Sequence, residues 1–391
     1  MPIIITIMIA MFLILISWTW HNLGDIEKIK KTITKLHFEM NLIFLQNCIS
    51  PHQMPYIKEL PVYESVDRVV VVAPRIDYDD RKQMGWKTPE LLKVEGIEFL
   101  ITPTIEVVQK LYEECKGIET FCFFSGINAF PEIVPWMKLS FNYSFKRGVI
   151  TEPPLLYNHP LWQHKLRFAL KDWRYVKYFD YLLVMGDDFV PYYRFWSKKW
   201  KVLPFIYCTE WKERTHPIPT SERLKMLYVG SLSDRKNVVE MFQVLCQKVE
   251  LELGVVGDGE KRTQIEEMNI LSKTEVTLYG IQPMERISEI MQQYDVLILP
   301  SKHDGWGAVV NEALTVGLYV ITSNHCGASY LLKNKQQGMI FTLEEAQGLS
   351  NVVDACIAKK DWIRETVNER IIWSRNYISG KAVADYIIQN L

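Results

Sequence analysis

From residue 41 to residue 342 one pattern recurs: a short apolar run closed by glycine, proline or a polar residue, then a longer stretch with helical spacing. The first series of runs is NLIFLQ, RVVVVAP, IEFLITP, TFCFFSG, RGVIT and YLLVMGD. The second, from residue 225, is KMLYVGS, LELGVVG, EVTLYG, VLILPS, YVITS and MIFT. Runs that are apolar throughout suit strands buried on both faces, the condition of parallel strands covered by helices. Between them lie IEVVQKLYEEC, LWQHKLRFALKDWRYVKYF, NVVEMFQVLCQKV, ERISEIMQQY and AVVNEALTV, each with helical periodicity. Strand and helix alternating in this way predict an α/β protein, and two such series predict two Rossmann-like, doubly wound domains.

The 391 residues suffice for two domains, and 48% hydrophobic against 23% charged residues gives each a core and excludes disorder as the main state. A net charge of -1 supplies no global field for nucleic acid, so no nucleic-acid partner is assigned. The seven cysteines contain no CxxC pair and no metal-ligand spacing, which reads as reduced, intracellular cysteine. The proline-bearing stretch ERTHPIPTSER, 213 to 223, marks the linker. The domains are then 40–215 and 216–375, with a C-terminal helix over 376–391 that packs back on the first domain.

Residues 1–20 carry no charged side chain and are long enough as a helix to span a bilayer. They read either as a membrane anchor or as an upstream segment without structural role, since MNLIFLQN from Met40 looks like the first strand of a domain. Residues 21–39 would be a linker; their Lys28, Lys30, Lys31 and Lys35 would hold that side, and all that follows, in the cytoplasm at the inner face of the membrane. A second membrane signal lies within the first domain. From Lys138 to Lys201 there are twelve Lys or Arg against five Asp or Glu, interleaved with aromatics such as Trp162, Phe168, Trp173, Phe195 and Trp196. Basic and aromatic side chains together suit an anionic membrane surface. The competing reading packs the aromatics in the core and leaves the bases as a solvated face.

Chemistry concentrates in PSKHDGWGAVVNEALTVG, 300 to 317. Asp304 follows a strand, Gly305 and Gly307 permit close backbone approach to a ligand, and a short helix ends at Gly317. The helix start sits at the carboxyl edge of the sheet, where free N–H groups and the positive dipole end suit a phosphate.

These residues carry a family resemblance. Asp304-x7-Glu312 with the intervening Gly-Trp-Gly resembles the E-x7-E motif, EGFGxxxxEA, of the retaining glycosyltransferases of family 4 within glycosyltransferase group 1. GSLSDRKN (230–237) is similar to that family's GRLxxxKG, GVVGDGEKR (254–262) to its IVGDGP, VTLYG (276–280) to its VxFxG, and ASYLLKNKQQGMIF to the region closing its nucleotide domain. The likeness covers residues 225 to 342; over 40 to 215 it rests on strand pattern. Two positions depart from it: Asp304 replaces the usual Glu, and Ser231 stands where the family carries Arg.

The resemblance implies a glycosyltransferase B (GT-B) fold, two Rossmann-like domains facing a cleft, and retaining transfer of a sugar from a UDP-, GDP- or ADP-sugar to a glycan or lipid-linked acceptor in surface polysaccharide or glycolipid synthesis. It needs no further cofactor. Carried over to this sequence, Lys236 neutralises the donor diphosphate with Arg235 as a weaker candidate, and Asp304 binds sugar hydroxyls. The amides of Gly307, Ala308 and Val309 meet sugar and phosphates, and Glu312 binds the ribose; Gly230, Gly305 and Trp306 complete the donor loops. His52 and Glu152, both just past strand ends, are candidates on the acceptor side of the cleft. The triplet Asp77-Tyr78-Asp79 is a DxD, but it lies 150 residues from the nucleotide signals and reads as a solvated loop, so no metal site is assigned. Gly257-Asp258-Gly259 fails as a dinucleotide fingerprint because Arg262 occupies the third glycine position. Two other readings stay open: a nucleotide-sugar epimerase or hydrolase of the same fold, and a catalytically inactive membrane assembly protein.

Overall fold

The computed structural model describes residues 39–78, 91–153 and 160–391. Thirteen strands are present among them, and all twelve apolar runs form strands. The first sheet holds β1 (Met40–Leu45), β2 (Val66–Ala73), β3 (Ile97–Ile101), β4 (Glu119–Ser125), β5 (Lys146–Thr151), β6 (Tyr181–Met185) and β7 (Lys201–Phe205), in the order β3-β2-β1-β4-β5-β6-β7. The second holds β8 (Leu224–Val229), β9 (Leu251–Val256), β10 (Glu275–Gly280), β11 (Val296–Leu299), β12 (Tyr319–Ser323) and β13 (Gly338–Phe341), ordered β10-β9-β8-β11-β12-β13. Every pairing is parallel. Both sheets are doubly wound, so the chain reverses direction across each sheet between β1 and β4 and between β8 and β11. Clefts suited to ligands open at the carboxyl ends of strands at these reversals.

The central runs are predominantly apolar because both of their faces are covered, whereas the edge strands β3 and β10 are only partly buried. Along β1, Leu42 and Phe44 point to one core and Ile43 and Leu45 to another; β2, β4 and β6 divide the same way. One face packs on helices that include Ile105–Glu114, Val134–Ser140 and Val190–Trp196. The other is covered in part by the C-terminal helix Gly380–Asn390, which leaves the second domain and returns to the first. There it lies so close to the helix Met54–Ile57 that a Cβ on Gly380 would run into the carbonyl of Pro55. The Tyr63 hydroxyl donates to Asp385 at 2.5 Å and that of Tyr181 to the Leu391 carbonyl at 3.1 Å.

Three details depart from the sequence reading. Strand β7 has no uninterrupted apolar run, and it carries Pro204; as the edge strand it can accept a residue with no N–H to donate. The single helical pattern from Leu161 onward breaks into an α-helix Leu161–Arg167, a wider π turn Phe168–Asp172 and a 3-10 stretch Trp173–Tyr178. The stretch 213 to 223 is laced to the second domain: Arg214 donates to the carbonyls of Val316 (2.7 Å) and Gln292 (2.6 Å), and the Gln292 side chain accepts from the amides of Thr215 and His216. Among the described residues no helix is long and apolar enough to cross a membrane. The candidate anchor at 1–20, the segment 21–38 and Asp79 lie outside them.

Candidate active site

Two loops of the second domain meet at its direction reversal. After β8 the chain runs through Gly230 into a tight turn, Asp234–Lys236, and Asn237 takes a left-handed conformation (φ 56°) to open the helix Val238–Leu245. After β11 it runs through Asp304 into the helix Val309–Thr315. The turn is stitched to the second loop: the Arg235 carbonyl accepts from the Lys302 amide at 2.9 Å, and the Arg235 guanidinium donates to the His303 carbonyl at 3.0 Å. This places the Lys236 ammonium directly on the Asp304 carboxylate, with both side chains largely enclosed. Arg235 is therefore occupied in holding backbone, while Lys236 points at the acid of the motif.

The Asp304 loop is rigid for identifiable reasons. Its backbone pairs with the loop after β12: the Asp304 amide donates to His325 O (3.1 Å), the Gly327 amide to Asp304 O (3.0 Å) and the Ala328 amide to Trp306 O (2.7 Å). Gly307 has φ +89°, and a Cβ there would stand 2.8 Å from Cys326 Sγ and 2.9 Å from Leu299 Cδ2. Trp306 is 3% exposed, and its indole N–H donates to Asn311 Oδ1 at 2.7 Å. Its ring is thus a brace, and its carbonyl is taken up by the Ala328 amide and the Cys326 thiol. Asn311 in turn donates to the Tyr207 carbonyl (2.9 Å), tying this loop to the segment that crosses between domains. Gly307, Ala308 and Val309 occupy the helix start, where N–H groups have no acceptor within the helix. Gly230 sits beneath the tyrosine hydroxyl of Tyr228 and against Gly257, so the loops after β8 and β9 touch.

The first domain closes on this loop. Glu152, at the end of β5, lies against Gly305 so tightly that a Cβ on the glycine would strike its carboxylate. The Tyr207 hydroxyl donates to the same carboxylate at 3.3 Å, and the Tyr207 ring meets Trp306 edge-on, centroids 6.3 Å apart. Beside this contact an interdomain cavity of about 220 Å³ is lined by His303, Asp304, Gly305 and Gly327 on one side and Gly186, Asp188 and Phe189 on the other. Lys333 reaches across its rim to Asp187 and, at 3.0 Å, to Asp188.

Glu312 and His52 meet elsewhere. They line a neighbouring cavity of about 400 Å³ with Thr209, Lys212 and Glu285. Burial pushes the Glu312 carboxyl up to about 7, with Lys212 acting in the opposite direction. The candidate residues thus fall into two groups: Asp304 and Gly305 line the first cavity, with Lys236 paired to Asp304 and Glu152 seated on Gly305, and Glu312 with His52 lines the other. Sequence reasoning missed His303, which precedes Asp304 and is held below its usual pKa by burial, with Asp304 opposing. It also assigned no role to Tyr207 or to Lys333, although Lys333 lies within the ASYLLKNKQQGMIF segment.

Two doubly wound sheets facing one cleft, with glycine loops at the carboxyl edge of the second, define the GT-B class of fold. Solved structures agree: the chain is similar to Anabaena HepE in complex with UDP (TM-score 0.66, 15% identity, 90% of this chain and 99% of that one). It is also similar to the lipopolysaccharide outer core galactosyltransferase WaaB (TM-score 0.63, 16% identity, 90% and 100%). Residues 210–371 match the family model described as glycosyl transferases group 1. Over 142 residues the chain is 27% identical to the amylovoran biosynthesis glycosyltransferase AmsK of Erwinia amylovora, covering 33% of this chain and 35% of that protein. Over 157 residues it is 24% identical to the O-antigen biosynthesis glycosyltransferase WclY of Escherichia coli, covering 40% and 43%. The chain therefore spans less than half of the length of these relatives.

Proposed function

We propose that the protein is a glycosyltransferase that moves a sugar from a nucleoside diphosphate sugar to a glycan or lipid-linked acceptor with retention of anomeric configuration. The observation that carries this reading is the enclosed Lys236–Asp304 pair beside a glycine loop, with Glu152 of the other domain seated on that loop. A cation able to neutralise phosphate, a carboxylate able to bind hydroxyls and a carboxylate from the first domain gathered at one loop support this reading, since transfer between two bound sugars calls for such groups.

In this reading the donor diphosphate takes over Lys236, and Asp304, released from the ammonium, accepts hydrogen bonds from sugar hydroxyls. The amides of Gly307, Ala308 and Val309 add fixed positive dipoles, and Glu312 in the adjoining cavity holds the ribose. When the bond between the anomeric carbon and the phosphate oxygen breaks, negative charge grows on the diphosphate, where prearranged positive groups act most strongly. The acceptor approaches from the Glu152 side; its oxygen bonds to the anomeric carbon, and its proton passes to the departing phosphate oxygen. No protein base is consumed. Lys236 and the helix start supply the charge neutralisation that a divalent cation supplies in other transferases, so activity should survive chelation. HepE is described in complex with UDP and glucose, and the relatives above are named for O-antigen and amylovoran synthesis, which favours a uridine donor and a surface-polysaccharide acceptor.

The test is incubation of purified protein with UDP-, GDP- and ADP-sugars and a lipid-linked glycan fraction, with products resolved by mass spectrometry. A product heavier by one sugar residue supports transfer. Release of isomerised or free sugar without an adduct would replace it with the epimerase or hydrolase reading, and no turnover of any donor would leave an inactive assembly protein.

A further inference from the structure

The helical segment Leu161–Tyr178 has two apolar faces, and its own domain uses only one. Phe168 and Tyr175 turn inward, where Phe168 packs on Trp196 (centroids 4.8 Å), Tyr193 and Trp200. Trp162, Leu166, Leu170 and Trp173 recur at helical spacing on the outer side and are 62%, 52%, 73% and 62% exposed. Phe195, on the neighbouring helix Val190–Trp196, is 73% exposed and joins them through Lys165, whose ammonium lies 5.6 Å from its ring centroid. A domain that needed this segment only for packing would present polar residues there.

The exposed charges of the segments 161–178 and 190–199 have one sign. Lys165, Arg167, Lys171, Arg174, Lys177, Arg194, Lys198 and Lys199 are all exposed. The acids of the same stretch are engaged: Asp172 accepts from Asn128 at 2.6 Å, Asp180 from the Arg147 amide at 3.0 Å, and Asp187 and Asp188 hold Lys333 at the cleft rim. Tryptophan, leucine and phenylalanine outward, flanked by unopposed lysine and arginine, match the interface of a bilayer bearing anionic headgroups. The rings enter the headgroup boundary and the cations meet the phosphates.

We infer that this face of the first domain docks on an anionic lipid bilayer. The same helix contributes His164 and Arg167 to a cavity of about 290 Å³ that also holds Glu152. Docking therefore sets the Glu152 side of the cleft beside the membrane. The inference rests on the surface alone and stands or falls without any measurement of sugar transfer.

All seven natural cysteines are buried, so a thiol introduced by Leu170→Cys can carry an environment-sensitive fluorophore selectively in the full chain. Ile270→Cys, at an 81% exposed site of the second domain, serves as the reference. With vesicles of phosphatidylcholine and phosphatidylglycerol the label at 170 should shift to the blue and be quenched by spin-labelled lipid. The label at 270 should not, and pure phosphatidylcholine should leave both in water. Lys165→Gln with Lys171→Gln should weaken the response on the order of 20-fold, at about fivefold for each charge removed. Because the probe reports its own surroundings, apolar residues elsewhere that hold the chain on vesicles do not confuse it. A label at 170 that stays in water while the protein sediments with anionic vesicles, or an equal shift at 270, overturns the inference.

Discussion

Lys236 and Asp304 pair directly although 68 positions separate them, so under the proposed function a donor diphosphate would compete with a carboxylate for the ammonium. Losing a positive group at a developing phosphate anion costs on the order of 100-fold in turnover or more. Lys236→Ala should therefore lower kcat by at least that factor, and Arg235→Ala far less, because its guanidinium is spent on the His303 carbonyl. Equal losses in steady-state assays would place the diphosphate elsewhere. Glu312 adds a pH dependence. Its carboxyl is raised from 4.5 to about 7 by burial, so the stability of the neutral form is fully present below the unfolded value and is lost as pH rises through about 7. Glu312→Gln should melt above the parent at about pH 8.5 and converge with it near 4.5, while nucleotide affinity of the parent alone gains as the carboxylate forms. Identical melting profiles of the two proteins at high pH would contradict the burial argument. The motif spacing made Asp304 and Glu312 visible in the sequence. It could not show that they face different cavities, or that Glu152 lies on Gly305, because those relations come from the docking of two domains.

At the scale of elements, the two glycines of the loop do different work. Gly307 needs a positive φ and has packed neighbours on its Cβ side, so Gly307→Ala should cost about 1–3 kcal/mol of stability, several degrees in melting temperature. The Cβ of Gly305→Ala meets the far end of the Glu152 side chain, which can swing away. That variant should melt near the parent yet lose turnover, because Glu152 no longer seats against the loop. Circular dichroism melts beside kcat would separate them, and a matched loss of stability in both variants would show that the Glu152 contact is only packing. The strands were legible because parallel strands covered on both faces write themselves as uninterrupted apolar runs. Edge strand β7 was not, since KVLPF mixes Lys and Pro into its run. The outward stripe of Leu161–Tyr178 was visible as basic and aromatic residues, but which rings are inside and which outside depends on how the helix seats on the sheet.

The whole molecule is held by more than its cleft. The C-terminal helix belongs in sequence to the second domain and in space to the first, and one continuous apolar core runs through both. Gly380→Ala drives a methyl group into the Pro55 carbonyl, so it should loosen this brace while leaving the Lys236–Asp304 pair untouched. Calorimetry of that variant should split one transition into two, of which nucleotide raises the upper or lower alone; a single unsplit transition would mean the domains cohere without the helix. Under the proposed function the second domain holds a nucleoside diphosphate between Lys236, the glycine loop and Glu312. A ligand bound to the folded state raises stability with the logarithm of its concentration over its dissociation constant. The most direct measurement is therefore the melting temperature of the full chain titrated with UDP, GDP and ADP, in parent and in Lys236→Ala. A logarithmic rise with one of the three is expected in the parent, reduced in the variant; no rise with any of them, or the same rise in both proteins, would contradict nucleotide binding at Lys236.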